Sequence, residues 1–182
     1  MCSKHVQPPK QYLPTSRHSR RKYAAIFAGL LCILLSLIPT SSISATTGPT
    51  TKRFQQIGTV KIPTLHLTSP ILLGITNAVF DRGVGQWPGS AKPGKAGNVV
   101  LGAHRTSKPR PFRNINKLRS GDVILISVGK KTFKYVVTGH AIVKPKSVWI
   151  TNQTRTATLT LFSCHPIGSV TSRYVVRAVL VK

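Results

Sequence analysis

The pattern of hydrophobic and polar positions changes character twice along the chain. Residues 1–22 are polar and basic, carrying Lys4, Lys10, Arg17, Arg20, Arg21 and Lys22 and no acid. Tyr23 to Thr51 then carries no charge at all, and its apolar heart is Ala24–Ile38, AAIFAGLLCILLSLI. From residue 55 onward the pattern becomes short β-rich runs broken by Gly and Pro. Strands are predicted near Ile57–Ile62, Ile71–Leu73, Asn98–Ala103, Val123–Val128, Thr132–Val143, Thr158–Ser163 and Tyr174–Val181. Gly129-Lys130 between two of them suits a tight hairpin with Gly at the first turn position. Val175-Val176 and Val179–Val181 suggest a strand buried on both faces for part of its length. Helical signals are short, at Thr76–Phe80 and Pro111–Leu118. Seven or eight strands with few helices predict a mainly β fold, a barrel or a sandwich.

The uncharged segment predicts a membrane element. Fifteen apolar residues at about 1.5 Å each give roughly 22 Å, short of a hydrocarbon core of about 30 Å. Continuing through the small residues to Ala45 makes up the difference. The basic flank lies before the segment, which places the N-terminus in the cytoplasm and the rest outside. A cleaved signal peptide and an uncleaved anchor both fit. The anchor is favoured, because the small-residue cleavage site around Ser42 and Ser44 is soft. The chain therefore divides into a basic cytoplasmic tail (1–22), a transmembrane signal anchor (23–45), a linker (46–54) and an exported domain (55–182).

Composition narrows the chemistry. There are 27 Lys and Arg against 2 acids, a formal net charge of +25, and the acids are Asp81 and Asp122. Chemistry that needs paired carboxylates is excluded, and acid-rich calcium loops with it. The basic residues are scattered and aromatics are only 7% of the chain. That argues against specific nucleic-acid binding, for which basic faces interleave with aromatics. It leaves attraction to polyanions such as anionic lipid or wall polymer.

Of the three cysteines, Cys2 lies in the tail, Cys32 in the membrane segment and Cys164 alone in the exported domain. A lone exported cysteine is either a reactive thiol or a buried small hydrophobe. Its position favours the first reading. Cys164 ends an apolar strand, His104 follows another, and Arg173 opens the next, so all three can meet at one mouth of the sheet. A thiolate nucleophile, an imidazole and a guanidinium suit acyl transfer. Neither Asp81 nor Asp122 is expected to orient the histidine. His165 is a rival base, but neighbouring strand residues face opposite ways, so it is expected to be a loop or packing residue. A zinc site of His104, His140, Cys164 and His165 lacks paired spacing. No metal or cofactor is expected.

Five stretches carry a family resemblance. They are Trp87–Gly94 with Gly97–Thr106, Pro111–Asn114 with Leu118–Asp122, Val148-Trp149, Leu159–Pro166 and Ser172–Val176. In order and spacing the chain resembles a sortase over roughly residues 57–182, most like class E, with classes D and F as near alternatives. The resemblance implies an eight-stranded sortase-type β-barrel with short helices. It also implies a membrane-anchored cysteine transpeptidase of the Gram-positive type that cleaves an LPxTG- or LAxTG-like sorting signal after Thr. By motif, Cys164 matches the nucleophile, His104 the catalytic histidine and Arg173 the arginine. The implied partners are secreted proteins bearing the signal and an amine acceptor on a peptidoglycan precursor or pilin. Ser163 stands where the family commonly has Thr, and Gly102-Ala103 where it often reads Ala-Gly. An alternative function is a silent, basic, extracellular module that binds anionic wall polymer.

Overall fold

The computed structural model describes residues 54–181, so the basic tail, the membrane segment and nearly all of the linker lie outside the described residues. Eight strands form the body: β1 (Gln56–Ile62), β2 (Leu67–Leu73), β3 (Val84–Gln86), β4 (Gly97–Gly102), β5 (Val123–Val128), β6 (Lys131–Val143), β7 (Ala157–His165) and β8 (Ser172–Val181). They close into a barrel in the order β1-β2-β3-β4-β7-β8-β6-β5. The β2–β3 and β4–β7 pairs are parallel and the others antiparallel. A barrel, not a sandwich, is thus the answer to the alternation in the sequence.

Register turns that alternation into a core. Val99, Leu159, Ala178 and Val137 stand side by side across β4, β7, β8 and β6. Leu101, Leu161 and Val176 form the next row. All seven are buried, together with Val60, Ile62, Ile71, Val84, Ile124, Ile126 and Tyr135. Because strand residues alternate faces, this inward set also fixes the outward set, Gly102, Phe162, Cys164 and Arg173 among it. Val175 and Val176 are both buried, as a strand covered on two sides requires, but the same expectation fails at Val179–Val181, where Val179 is exposed and Leu180 and Val181 are half-buried because the cover ends before the strand does.

Three observed elements differ from the expectation. β3 was not predicted: it is three residues long, beside glycines, and too short to show alternation. β2 begins at Leu67 although Pro70 lies inside it. Pairing with β3 starts only at Ile71, so at Pro70 the strand has a partner on one side only, the edge-like position that proline tolerates. The helix expected over Pro111–Leu118 is a single 3₁₀ turn, Ile115–Lys117. The buried residues in and beside it, Phe112, Ile115 and Leu118, recur every third position, the 3₁₀ period. The hairpin at Gly129-Lys130 is as expected: Val128 pairs with Lys131, and Gly129 has φ +56°, as a type II′ turn needs.

Candidate active site

His104, Cys164 and Arg173 converge at one end of three adjacent strands. β4 and β7 run parallel with Gly102 opposite Phe162, and the Ala103 N–H donates to the Phe162 carbonyl at 3.3 Å. The Ser163 hydroxyl donates to the Ala103 carbonyl at 2.7 Å, tying the two strand ends together. His104 and Cys164 therefore follow in step on neighbouring strands, which lie about 4.8 Å apart. On the other side Cys164 pairs with Arg173 in the β7–β8 register. By strand parity, the Cys164 and Arg173 side chains belong to the outer face of the barrel.

The surroundings of this face are built by small residues. Gly102 has no side chain, and a Cβ there would stand 2.8 Å from Phe162 Cε1. Phe162 can thus lie flat across β4, with its ring edge-on to Trp87 at 6.1 Å. These rings floor a shallow apolar recess whose far wall is the β6–β7 connection, Lys144 to Thr151, and whose rim includes Arg173. The Arg173 guanidinium donates to the Val170 and Ser172 carbonyls at 3.0 and 2.9 Å, which fixes its direction. Asn98 holds the far wall in place. Fully buried, it donates to the Ile150 and Asn152 carbonyls at 3.0 and 3.1 Å and accepts from Thr160 at 2.8 Å.

One expectation is overturned. Asp81 does reach the histidine: His104 Nε2 lies 3.0 Å from Asp81 Oδ1, the sole ion pair among the described residues. The cause is a short helix, α1 (Asn77–Phe80), which packs on β3. It can do so because Gly85 leaves room, a Cβ there meeting Phe80 Cε1 at 2.8 Å. Since β3 neighbours β4, Phe80 and Asp81 at the end of α1 are delivered to His104. The Phe80 ring stands edge-on to the imidazole at 5.6 Å. Asp81 lies 23 residues before His104, a separation in which no motif could be read. Asp122 is engaged elsewhere, accepting from the Arg119 N–H and the Thr64 hydroxyl.

Arg105 is a second group whose place was not legible. It is buried, donating through Nε to the Arg113 carbonyl at 3.2 Å and through Nη1 to His165 Nδ1 at 2.7 Å. Its guanidinium carbon lies 5.5 Å from the centre of the Tyr174 ring. Burial lowers its pKa. Attraction to Tyr174 and Cys164 opposes that, and repulsion from Arg113 adds to it. His165 is the last residue of β7 and lies on the opposite face from Cys164, packed against Arg105 and Tyr174.

The sortase domain model matches residues 60–181, two thirds of the chain. The chain belongs to the sortase family. Sortase D of Bacillus subtilis is 31% identical over 127 residues, covering 67% of this chain and 62% of that protein. Sortase SrtE1 of Streptomyces coelicolor is 41% identical over 88 residues, 44% of this chain and 25% of its own length. The chain thus spans less than two thirds of either relative. Among solved structures, Sortase E1 of Streptomyces coelicolor with a tripeptide in the active site superposes with a TM-score of 0.66 at 28% identity. That match covers 70% of this chain and 89% of the other. The Clostridium perfringens Sortase D5 transpeptidase gives 0.65 at 29%, covering 70% and 80%. The eight-stranded barrel is the sortase barrel.

Proposed function

We propose that this sortase is a membrane-anchored cysteine transpeptidase, with Cys164 as nucleophile, His104 as proton carrier and Arg173 as the group that holds substrate and oxyanion. Its substrate would be a secreted protein with an LPxTG- or LAxTG-like signal, cleaved after Thr. Its acceptor would be an amine of a peptidoglycan precursor or pilin. The catalytic domain would face outward from a single-pass anchor with a cytoplasmic N-terminus. The observation that supports this reading is that the three residues sit together at the neighbouring ends of β4, β7 and β8, beside an apolar recess rimmed by Arg173.

The chemistry follows from the groups. The Cys164 thiolate attacks the Thr carbonyl carbon, and the charge that develops on oxygen is met by a fixed guanidinium. His104 gives its proton to the departing amine as the C–N bond breaks, leaving a thioester. The incoming amine then attacks, His104 takes its proton, and the thiolate leaves. Phe162 and Trp87 offer an apolar surface for the residues preceding Thr.

The test is intact-mass spectrometry of the full chain with LPxTG and LAxTG peptides, with and without an amine. A mass gain that ends at Thr, is chased by amine and is absent in Cys164→Ala is expected. A folded protein that forms no adduct with either peptide, or an adduct that survives in Cys164→Ala, sinks the reading. The excess of 27 basic over 2 acidic residues favours a second activity, binding of anionic wall polymer. That binding would weaken steeply with salt and be indifferent to Cys164→Ala.

A further inference from the structure

We infer that Asp81 is the positioning residue of His104, holding the imidazole in one tautomer so that Nδ1 is the nitrogen that exchanges protons with substrate. The inference rests on the transpeptidase reading for what His104 does with that proton. A carboxylate only accepts hydrogen bonds, so at 3.0 Å from Asp81 Oδ1 the Nε2 atom must carry its hydrogen. In the neutral ring Nδ1 is then the lone-pair nitrogen.

The rest of the environment points the same way. Consecutive residues grip the ring, Phe80 by its edge and Asp81 by its carboxylate. The histidine is only 6% exposed, so its orientation is set by these contacts and little by water. Arg82, the adjacent cation, does not compete for the carboxylate. It donates to the Ala78 carbonyl at 2.9 Å and lies over the Phe54 ring at 4.1 Å. Of just two acids in the chain, one stands on the candidate catalytic imidazole.

The proton balance closes without Asp81 changing charge. In the acylation step the imidazolium gives its Nδ1 proton to the leaving amine, as the C–S bond forms and the C–N bond breaks. In the second step Nδ1 takes a proton from the incoming amine, as the new C–N bond forms and the C–S bond breaks. Nε2–H stays on Asp81 throughout. The Asp81 side chain is 54% exposed, so its influence is smaller than that of a buried triad carboxylate.

The experiment uses the full chain in detergent, labelled with [¹⁵N]histidine, with His104 signals assigned by their loss in His104→Gln. Wild type is expected to show the Nε2–H tautomer in the neutral ring. Asp81→Ala is expected to show a tautomer mixture, and about a tenfold lower kcat with the peptide KM within twofold. Asp81→Asn keeps an acceptor oxygen, so its tautomer should persist with an intermediate kcat, and Asp81→Glu should recover part of the rate. Asp81→Ala with either an unchanged tautomer or a kcat within twofold of wild type overturns the inference. The nitrogen signals need no substrate. A wild-type protein without turnover would therefore sink the transpeptidase reading, while the tautomer would still decide the role of Asp81.

Discussion

Arg105 and Tyr135 show how single buried polar residues are made tolerable here. A buried cation is costly unless its donors find acceptors. Arg105 finds the Arg113 carbonyl and His165 Nδ1, and it keeps its charge at physiological pH. Among the described residues it has no carboxylate partner, and Cys164 at the neighbouring strand end is one of the groups that favour its charge. His165 is held by this contact on the side of the sheet away from Cys164, as the packing role expected of it requires. Tyr135 is fully buried and accepts a hydrogen bond from the Gly94 N–H at 3.0 Å. Burial pushes its pKa above the usual 10.0, and the Gly94 bond opposes this only in part. The folded state therefore keeps the phenol proton at pH values where the unfolded chain, near pKa 10, loses it. The stability this contributes is complete below pH 10 and is lost as pH rises toward the folded value, at up to about 1.4 kcal/mol per pH unit. Other contributions to the pH dependence are common to wild type and Tyr135→Phe, so the informative quantity is a difference. Urea melts between pH 9 and 11 should show wild type losing stability more steeply than Tyr135→Phe. Parallel curves would mean that Tyr135 ionises as easily folded as unfolded.

At the scale of elements, the site depends on close approaches that only glycine permits. α1 sits on β3 because Gly85 has no Cβ, and it is α1 that brings Phe80 and Asp81 to His104. Gly85→Ala must displace the Gly74 carbonyl, the nearest atom, as well as push α1 outward, at a cost of about 1–3 kcal/mol. It should also lower turnover at saturating peptide, because the grip on the imidazole loosens. Gly139, where nothing lies within 4 Å of an added Cβ, is the control, and Gly139→Ala should stay within about 0.5 kcal/mol of wild type. Urea denaturation with steady-state kinetics on both variants checks this, and equal effects would mean that α1 is not held through Gly85. The same elements show what the sequence discloses. Long strands with clean alternation, such as β6 and β7, are legible because their inward and outward residues differ in kind. β3 is not, since three buried residues carry no period. Yet β3 is the element that links α1 to β4, so missing it also hid the placement of Asp81. That His104, Cys164 and Arg173 lie at one end of neighbouring strands was legible because each sits at the end of a recognisable strand. Arg105 sits in the same stretch, but nothing in its residue type shows that it turns inward.

The whole molecule combines a closed barrel with an extreme charge. Closure was not legible from alternation alone, which suits a sandwich equally. It needs the parallel β4–β7 pair and the antiparallel β1–β5 pair, which join residues about 60 or more apart, for example Val99 with Leu159 and Val60 with Ile126, pairings that no local pattern announces. The family resemblance supplied the barrel where periodicity stopped. The charge is a separate matter, because 27 basic residues against two acids leave almost no surface ion pairs to form. With that excess the dominant long-range term is self-repulsion, which opposes the compact state. Salt shortens its reach, the Debye length falling from about 30 Å at 0.01 M to about 8 Å at 0.15 M. The His104–Asp81 attraction, the one ion pair among the described residues, is also screened, and with its carboxylate half exposed it is worth about 1 kcal/mol. Repulsion summed over the whole surface should outweigh it. The melting temperature of the folded domain in the full chain should therefore rise between 0.01 and 0.15 M sodium chloride, by a few degrees for a domain of this size. Calorimetry across that range measures it. A fall instead would mean that local attractions at the barrel mouth, around His104, Arg105 and Cys164, govern stability more than the overall excess of positive charge does.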